Sequence, residues 1–217
     1  MQPITLKGRL SCCARLVREG SRLADIGTDH GYLPIALCEA GQIPSALACD
    51  INPLPLQSAQ ENIARHGLSE RIVTREGDGL APVAADEADD VVIAGMGGEL
   101  IAAILDRCAW VKDASKRLIL QPMTRHEALV RWLYESGFRI IRQEAVRDDG
   151  KVYTVILAAY DGIIRPCDRC AAMTGSLTPD SEEAVAFLQK CLRRLRKQSI
   201  GDPTLSPVIQ HIEELLA

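Results

Sequence analysis

Short apolar runs alternate with stretches of helical spacing along the first 135 residues. The runs at 23–26, 46–50, 72–76, 90–94 and 117–121 are too short for helices and predict strands. Around them, apolar residues recur at intervals of three and four, which predicts helices over 7–20, 31–40, 54–66, 99–107 and 126–135. Gly41 and Gly67 stand just past two of these helices, where a left-handed residue ends the last turn. Alternation at this pitch predicts an α/β fold, a parallel sheet covered by helices on both faces. Two runs rich in Ile, Val and Tyr, 138–146 and 151–159, flank Asp148-Asp149-Gly150 and predict a β-hairpin that closes the sheet with an antiparallel strand at its edge.

The pattern changes after Gly162. Residues 162–178 hold Gly, Pro, Cys and Ser/Thr without a period and read as a linker. Thr178-Pro179-Asp180 then predicts a helix start, with Val185, Leu188, Leu192 and Leu195 as its apolar stripe. Ser206-Pro207 predicts a second helix carrying Val208, Ile212 and Leu215, so the chain should end in a helical hairpin. Two units follow: 1–161, the sheet domain, and 162–217, linker plus hairpin.

Composition changes this picture little. With 217 residues, 47% of them hydrophobic and 25% charged, the chain suits one α/β domain with a small appendage. No apolar run nears the roughly 20 residues that cross a bilayer, and the first seven residues lack a signal-peptide core. The expected location is the cytoplasm, with no membrane contact. Eight cysteines without a signal peptide argue against a disulfide framework. Cys167-x-x-Cys170 has zinc-ligand spacing, but no second pair follows, so no metal is expected.

Charge is unevenly spread. Residues 1–22 carry a net +4, 23–115 a net −10 and 116–151 a net +3. The acidic block coincides with the strand ends. Asp29 follows the first strand within Asp25-Ile26-Gly27-Thr28-Asp29-His30-Gly31-Tyr32, Asp50 closes the second, and Asp78 follows the third between Gly77 and Gly79. Ligands bind at the carboxyl ends of such strands. Asp50 lies 23 residues past Gly27, near the spacing of about 20 expected of a ribose-binding acid. Asp78 suits an adenine amino group, while Asp25 and Asp29 suit a cationic tail. Such a cluster would repel a pyrophosphate, and Gly27-x-x-x-Gly31 misses the dinucleotide G-x-G-x-x-G pattern. S-adenosyl-L-methionine, with a sulfonium and an ammonium and no phosphate, fits instead. Asp25, Gly27, Thr28, Asp29, Gly31, Asp50, Ile51, Asn52, Asp78, Gly79, Ala94, Gly95, Met96 and Gly97 are the candidate cofactor positions.

Asp25-Ile-Gly-Thr-Asp-His-Gly-Tyr-Leu-Pro34, Gly77-Asp-Gly-Leu80, Ile93-Ala-Gly-Met-Gly-Gly98, Leu118-Ile-Leu-Gln-Pro122 and Gly150-Lys-Val-Tyr153 resemble one family, the bacterial tRNA adenine-22 N1-methyltransferases, the TrmK family. The resemblance runs in order over about residues 5–160. It implies a class I Rossmann-like methyltransferase domain followed by a coiled-coil-like helical hairpin. It also implies S-adenosyl-L-methionine as donor and N1 of a tRNA adenine as acceptor. Where many members have Gln-Pro-Asn, this chain has Gln121-Pro122-Met123, a departure that removes a base contact if the family Asn makes one.

Adenine N1 carries an in-plane lone pair and no proton at neutral pH, so alignment and desolvation are the main demands. Asp29 is the candidate acceptor for the exocyclic amine, with His30 and Tyr32 placed to stack on or bond the base. Gln121, Pro122 and Arg125, with Arg9, Arg15 and Arg18, are the candidate RNA contacts. No Asn-Pro-Pro-Tyr type motif follows the fourth strand, which argues against exocyclic-amine methylation. The rival readings are a class I methyltransferase acting on a small molecule or protein, and a non-catalytic RNA-binding relative.

Overall fold

The computed structural model describes residues 3–217; Met1 and Gln2, part of the segment read for a signal peptide, lie outside the described residues. Seven strands form one sheet in the order β3-β2-β1-β4-β5-β7-β6. They are β1 (Leu23–Ile26), β2 (Ala46–Asp50), β3 (Ile72–Glu76), β4 (Asp90–Gly97), β5 (Arg117–Thr124), β6 (Phe138–Asp148) and β7 (Lys151–Tyr160). Helices α1 (Gly8–Leu16), α2 (Tyr32–Glu39), α3 (Pro53–Arg65), α4 (Gly98–Asp106) and α5 (His126–Glu135) cover its faces. All four residues of β1 are buried, because a parallel strand with helices on both sides has no wet face. Alternation sorts the side chains. Ala24, Ile26, Val91 and Ile93 join the core beneath α4 and α5. Leu23, Ala46, Ala48 and Val92 join the core shared with α1, α2 and α3.

The hairpin differs from expectation. β7 is antiparallel to both neighbours but lies inside the sheet, between β5 and β6, and β6 forms the edge. The 151–160 run is buried nearly throughout, whereas 138–148 is mixed. The apolar strand takes the inner seat, and the Arg-rich one faces solvent, where its charges discourage edge pairing.

β4 and β5 also outrun their predicted ends, reaching Gly97 and Thr124. Met96 pairs with Pro122 and Gly97 with Thr124, across register shifts at Ala94/Met96 and Met96/Gly97. Gly95 supplies the positive φ of 81° that this bulge requires, so the glycine motif is a bulged strand end rather than a loop. Gly98 then opens α4, and a Cβ there would overlap the Arg125 carbonyl oxygen.

Beyond β7 the expected linker holds a helix, α6 (Arg169–Thr174), capped by the Asp168 carboxylate accepting from the Ala171 amide at 2.7 Å. Helix α7 (Glu182–Gln198) starts at Ser181, not Thr178. The Ser181 hydroxyl accepts from the Ala184 amide, whereas the Thr178 hydroxyl donates to Asp180. Helix α8 (Ser206–Leu216) follows. The pair does not stand free. Leu188, Cys191 and Leu195 of α7 share a core with Val208 and Ile212 of α8, Met173 of α6 and Val152 of β7. His126 at the start of α5 bonds the Met173 carbonyl at 2.8 Å. No described helix is long and apolar enough to cross a membrane.

Two arginines expected at the RNA, Arg15 and Arg18, are held in ion pairs with the scaffold. Arg18 lies at the amino end of β4, the sheet edge opposite the strand ends that carry the candidate site. Its Nε donates to buried Asp90 at 2.8 Å, and its Nη2 donates to the Asp89 and Ser115 carbonyls. Arg15 is six residues along α1 from Arg9 and donates to Glu144 at 3.0 Å. Arg18→Ala should therefore lower stability by about 2–3 kcal/mol, because it strips the side-chain partner from a fully buried carboxylate. Thermal and urea unfolding check this, with donor affinity of the folded fraction expected to stay unchanged.

Candidate active site

The strand order reverses between β1 and β4, because the connections from β1 and β4 run to opposite sides. At such a switch point the loops diverge and leave a crevice at the carboxyl ends. Here the crevice has two lobes that share Gly27, Ala94 and Gly95 as a wall. Gly27 adopts φ 76°, and a Cβ on it would overlap the Met96 methyl. The left-handed backbone of the β1 turn favours glycine here, and the Met96 methyl of the β4 bulge packs against it.

The larger lobe, about 370 Å³, is lined by Asp50, Ile51, Asn52, Gly77, Asp78, Gly79, Met96, Leu100 and Ile104. Asp50 Oδ1 accepts the Asn52 amide at 2.8 Å, which fixes the carboxylate at the end of β2. Ile51 and Leu100 are both exposed apolar side chains on this lobe, a pair suited to the two faces of a flat ring. Leu100 and Ile104 went unread in the sequence. Their only signal is that they lie four apart on the first turns of α4. Asp78 is not the free acceptor expected: Arg107 donates to it at 2.7 and 3.2 Å. That guanidinium holds the Asp78 carboxyl below its usual range.

The smaller lobe, about 230 Å³, gathers Arg9, Asp25, Thr28, Asp29, His30 and Tyr32. Asp25 is buried and accepts the Thr28 hydroxyl at 2.7 Å. Burial pushes its carboxyl up to about 6, opposed by the Thr28 bond and reinforced by the charge of Asp50. Asp29 has φ 53° and a side chain 70% exposed, so the turn aims its carboxylate outward. The His30 and Tyr32 rings stack 5.3 Å apart at the mouth, and Asn62 anchors that loop by donating to the His30 carbonyl at 2.9 Å.

The expected substrate contacts divide. Arg9, expected on phosphate, instead lines the acidic lobe, with its Nε donating to Asp148 at 2.8 Å. It is the cation of that lobe and suits a ligand carboxylate. Gln121 is wholly buried. Its Oε1 accepts from the Gly95 amide at 3.1 Å and from Arg9 at 3.4 Å, so it braces the bulge rather than facing substrate. Pro122 and Met123 line a different cavity, on the α7 side of β5. Arg125, with φ 54°, precedes α5 and pairs with Glu99 at 2.8 Å.

This arrangement fits a nucleoside carrying a zwitterionic tail. Ribose suits Asp50, a flat base suits Ile51 and Leu100, and ammonium and carboxylate ends suit Asp25 and Arg9. An ionised Asp25 would favour a cation, yet its folded pKa of about 6 exceeds the ordinary value of 3.8. The acid is thus neutral below 6, and a cationic ligand must displace its proton. S-adenosyl-L-methionine affinity should rise about tenfold per pH unit up to pH 6 and level off above it. Calorimetry from pH 5 to 8 checks this, and Asp25→Asn should flatten the profile.

Comparison with known proteins agrees with this geometry. Residues 6–156 match the family model described as a methyltransferase domain. The tRNA (adenine(22)-N(1))-methyltransferase of Bacillus subtilis (strain 168) is 38% identical over 203 residues, covering 90% of this chain and 84% of that protein. A Streptococcus pneumoniae candidate tRNA (m1A22) methyltransferase, solved in complex with S-adenosyl-L-methionine, superposes with a TM-score of 0.86 at 36% identity, over 96% of this chain and 98% of that one. The M. capricolum TrmK structure, in complex with S-adenosyl-homocysteine, gives 0.81 at 26% identity, over 97% of both chains. With a two-lobed crevice at the switch point and a relative aligned along nearly its whole length, the chain belongs to the tRNA (adenine-22-N1)-methyltransferase family.

Proposed function

We propose that this protein transfers a methyl group from S-adenosyl-L-methionine to N1 of an adenine in tRNA, at the position resembling residue 22. The observation that carries the reading is the two-lobed, acid-lined crevice at the β1/β4 switch point in a chain of this family. When bound, the donor supplies an electrophilic methyl on a cationic sulfur. Asp50 would hold its ribose, Asp25 and Arg9 its charged tail, and the Gly27 turn its flank.

The acceptor would enter over Gly95 and Met96, where the bulge removes bulk from the strand end. His30 and Tyr32, already stacked, offer an aromatic ledge to a base extruded from its helix. Asp29 is the candidate acceptor for the exocyclic amine. A carboxylate there would steady the positive charge that develops on the ring as N1 attacks. N1 needs no base to remove a proton, which agrees with a site holding an outward-facing carboxylate and, among the described residues, no activated nucleophile.

The division of labour would follow the two units: 1–161 holds the donor, and 162–217 steadies the RNA. A tRNA substrate supports a cytoplasmic location for the enzyme. Incubation of unmodified tRNA with labelled donor, followed by nucleoside mapping, should yield N1-methyladenosine at one position; methylation of another atom, or none, would refute the reading. Asp29→Ala should reduce kcat about 100-fold or more, with donor affinity altered less than threefold. Single-turnover kinetics and calorimetry separate the two effects.

A further inference from the structure

We propose that a nucleotide of the tRNA other than the target adenine docks in a notch where the sheet meets the C-terminal helices, its phosphate among arginines and its base in an adjoining apolar cavity. The proposal rests on the tRNA reading above and adds a second contact site to it.

Two cavities of opposite character adjoin there. One, about 400 Å³, lies among α5, α6, α7 and α8 and is lined by Arg125, Arg131, Arg169 and Arg194, against Glu127 and Asp202. Four cations face two carboxylates, a net +2 in one concavity. Glu99 and Glu127 take up parts of Arg125, Glu127 part of Arg194 and Asp202 part of Arg169, while Arg194 Nε and Glu127 Oε2 are both buried with no hydrogen-bond partner among the described residues. Arg131 is exposed and forms no ion pair among them. The unpaired Arg131 and the excess of guanidinium over carboxylate in the lining fit an anion with several acceptor oxygens.

The second cavity, about 230 Å³, shares Arg125 and Arg194 with the first. Its wall is mostly apolar: Pro122, Met123, Tyr153 and Phe187, with Lys190 at the rim. Lys190 Nζ sits 5.1 Å from the Tyr153 ring centroid and 5.7 Å from that of Phe187. A flat, apolar-faced, anion-linked group matches both halves at once, and an unstacked nucleotide is such a group.

Position favours RNA over a free small anion. Pro122 pairs across the sheet with Met96, which lines the donor crevice, so the notch is one strand away from the site of methyl transfer. Exposed Arg193, Arg196 and Lys197 extend the positive surface along α7. Met123 lines this cavity and not the donor crevice, so a substitution there would act on the neighbouring nucleotide.

The test uses the full chain, with Arg131→Gln and Arg169→Gln combined, Met123→Glu separately, and Lys at both arginine positions as the conservative control. The double variant should raise KM for tRNA about tenfold and make the log K against log salt slope shallower by about 1–2. The Lys control should recover most of both. Met123→Glu should raise KM similarly by filling and neutralising the cavity. Turnover at saturating tRNA, donor affinity and Tm should stay near the parent values. Unchanged KM and salt slope in variants of a parent that methylates tRNA would overturn the notch alone. If the parent transfers no methyl to tRNA, the functional reading fails, and fluorescence anisotropy with tRNA alone still tests the notch through the same slopes.

Discussion

The structure depends on a close approach: the glycine turn after β1, with Gly27 in the left-handed region at φ 76°, lies against the bulged end of β4 and packs its bare Cα beside the Met96 methyl. Parallel strands buried on both faces can expose polar groups only at their ends, and the strand order reverses here. The crevice is therefore a consequence of topology, and Gly27, Ala94 and Gly95 form the wall its two lobes share. Gln121 holds the bulge by accepting the Gly95 amide, which is why a buried amide side chain sits at the end of an otherwise apolar strand.

Charge then determines what the crevice can hold. Asp25, Asp29, Asp50 and Asp78 bring four carboxylates to the strand ends, and Arg9 and Arg107 temper them locally. A phosphate-bearing cofactor would meet repulsion at each end. A sulfonium ligand with its own ammonium and carboxylate would meet carboxylates for its cations and Arg9 for its anion. The same logic separates the surfaces. The acidic crevice would take the donor, while the arginines at the seam with α6–α8 suit the opposite kind of molecule, a polyanion.

The C-terminal helices belong to this layout and are not an appendage. They share a core with Val152 of β7, and His126 fastens α6 to the head of α5. That docking brings Arg194 of α7 beside Arg125 at the end of β5, so the basic concavity exists only because sheet and helices are packed together.

Local pattern alone determined most of the strands, the helices that cover them and three acids at strand ends. Period, glycine stops and run length are properties of neighbouring residues, and so is the spacing from Gly27 to Asp50. The residues that match the family were equally local. What tertiary structure decided was pairing over distance. Nothing near Arg18 in sequence announces Asp90, so an arginine that read as free for phosphate proved to be a scaffold pair. Arg9 met Asp148 and the acidic lobe through the packing of α1 on the sheet, and Asp78 met Arg107 through that of α4. The inner seat of β7 also lay beyond local pattern, because burial ranks whole strands against one another. Charges find partners by long-range geometry, whereas strands and turns are written in the next few residues.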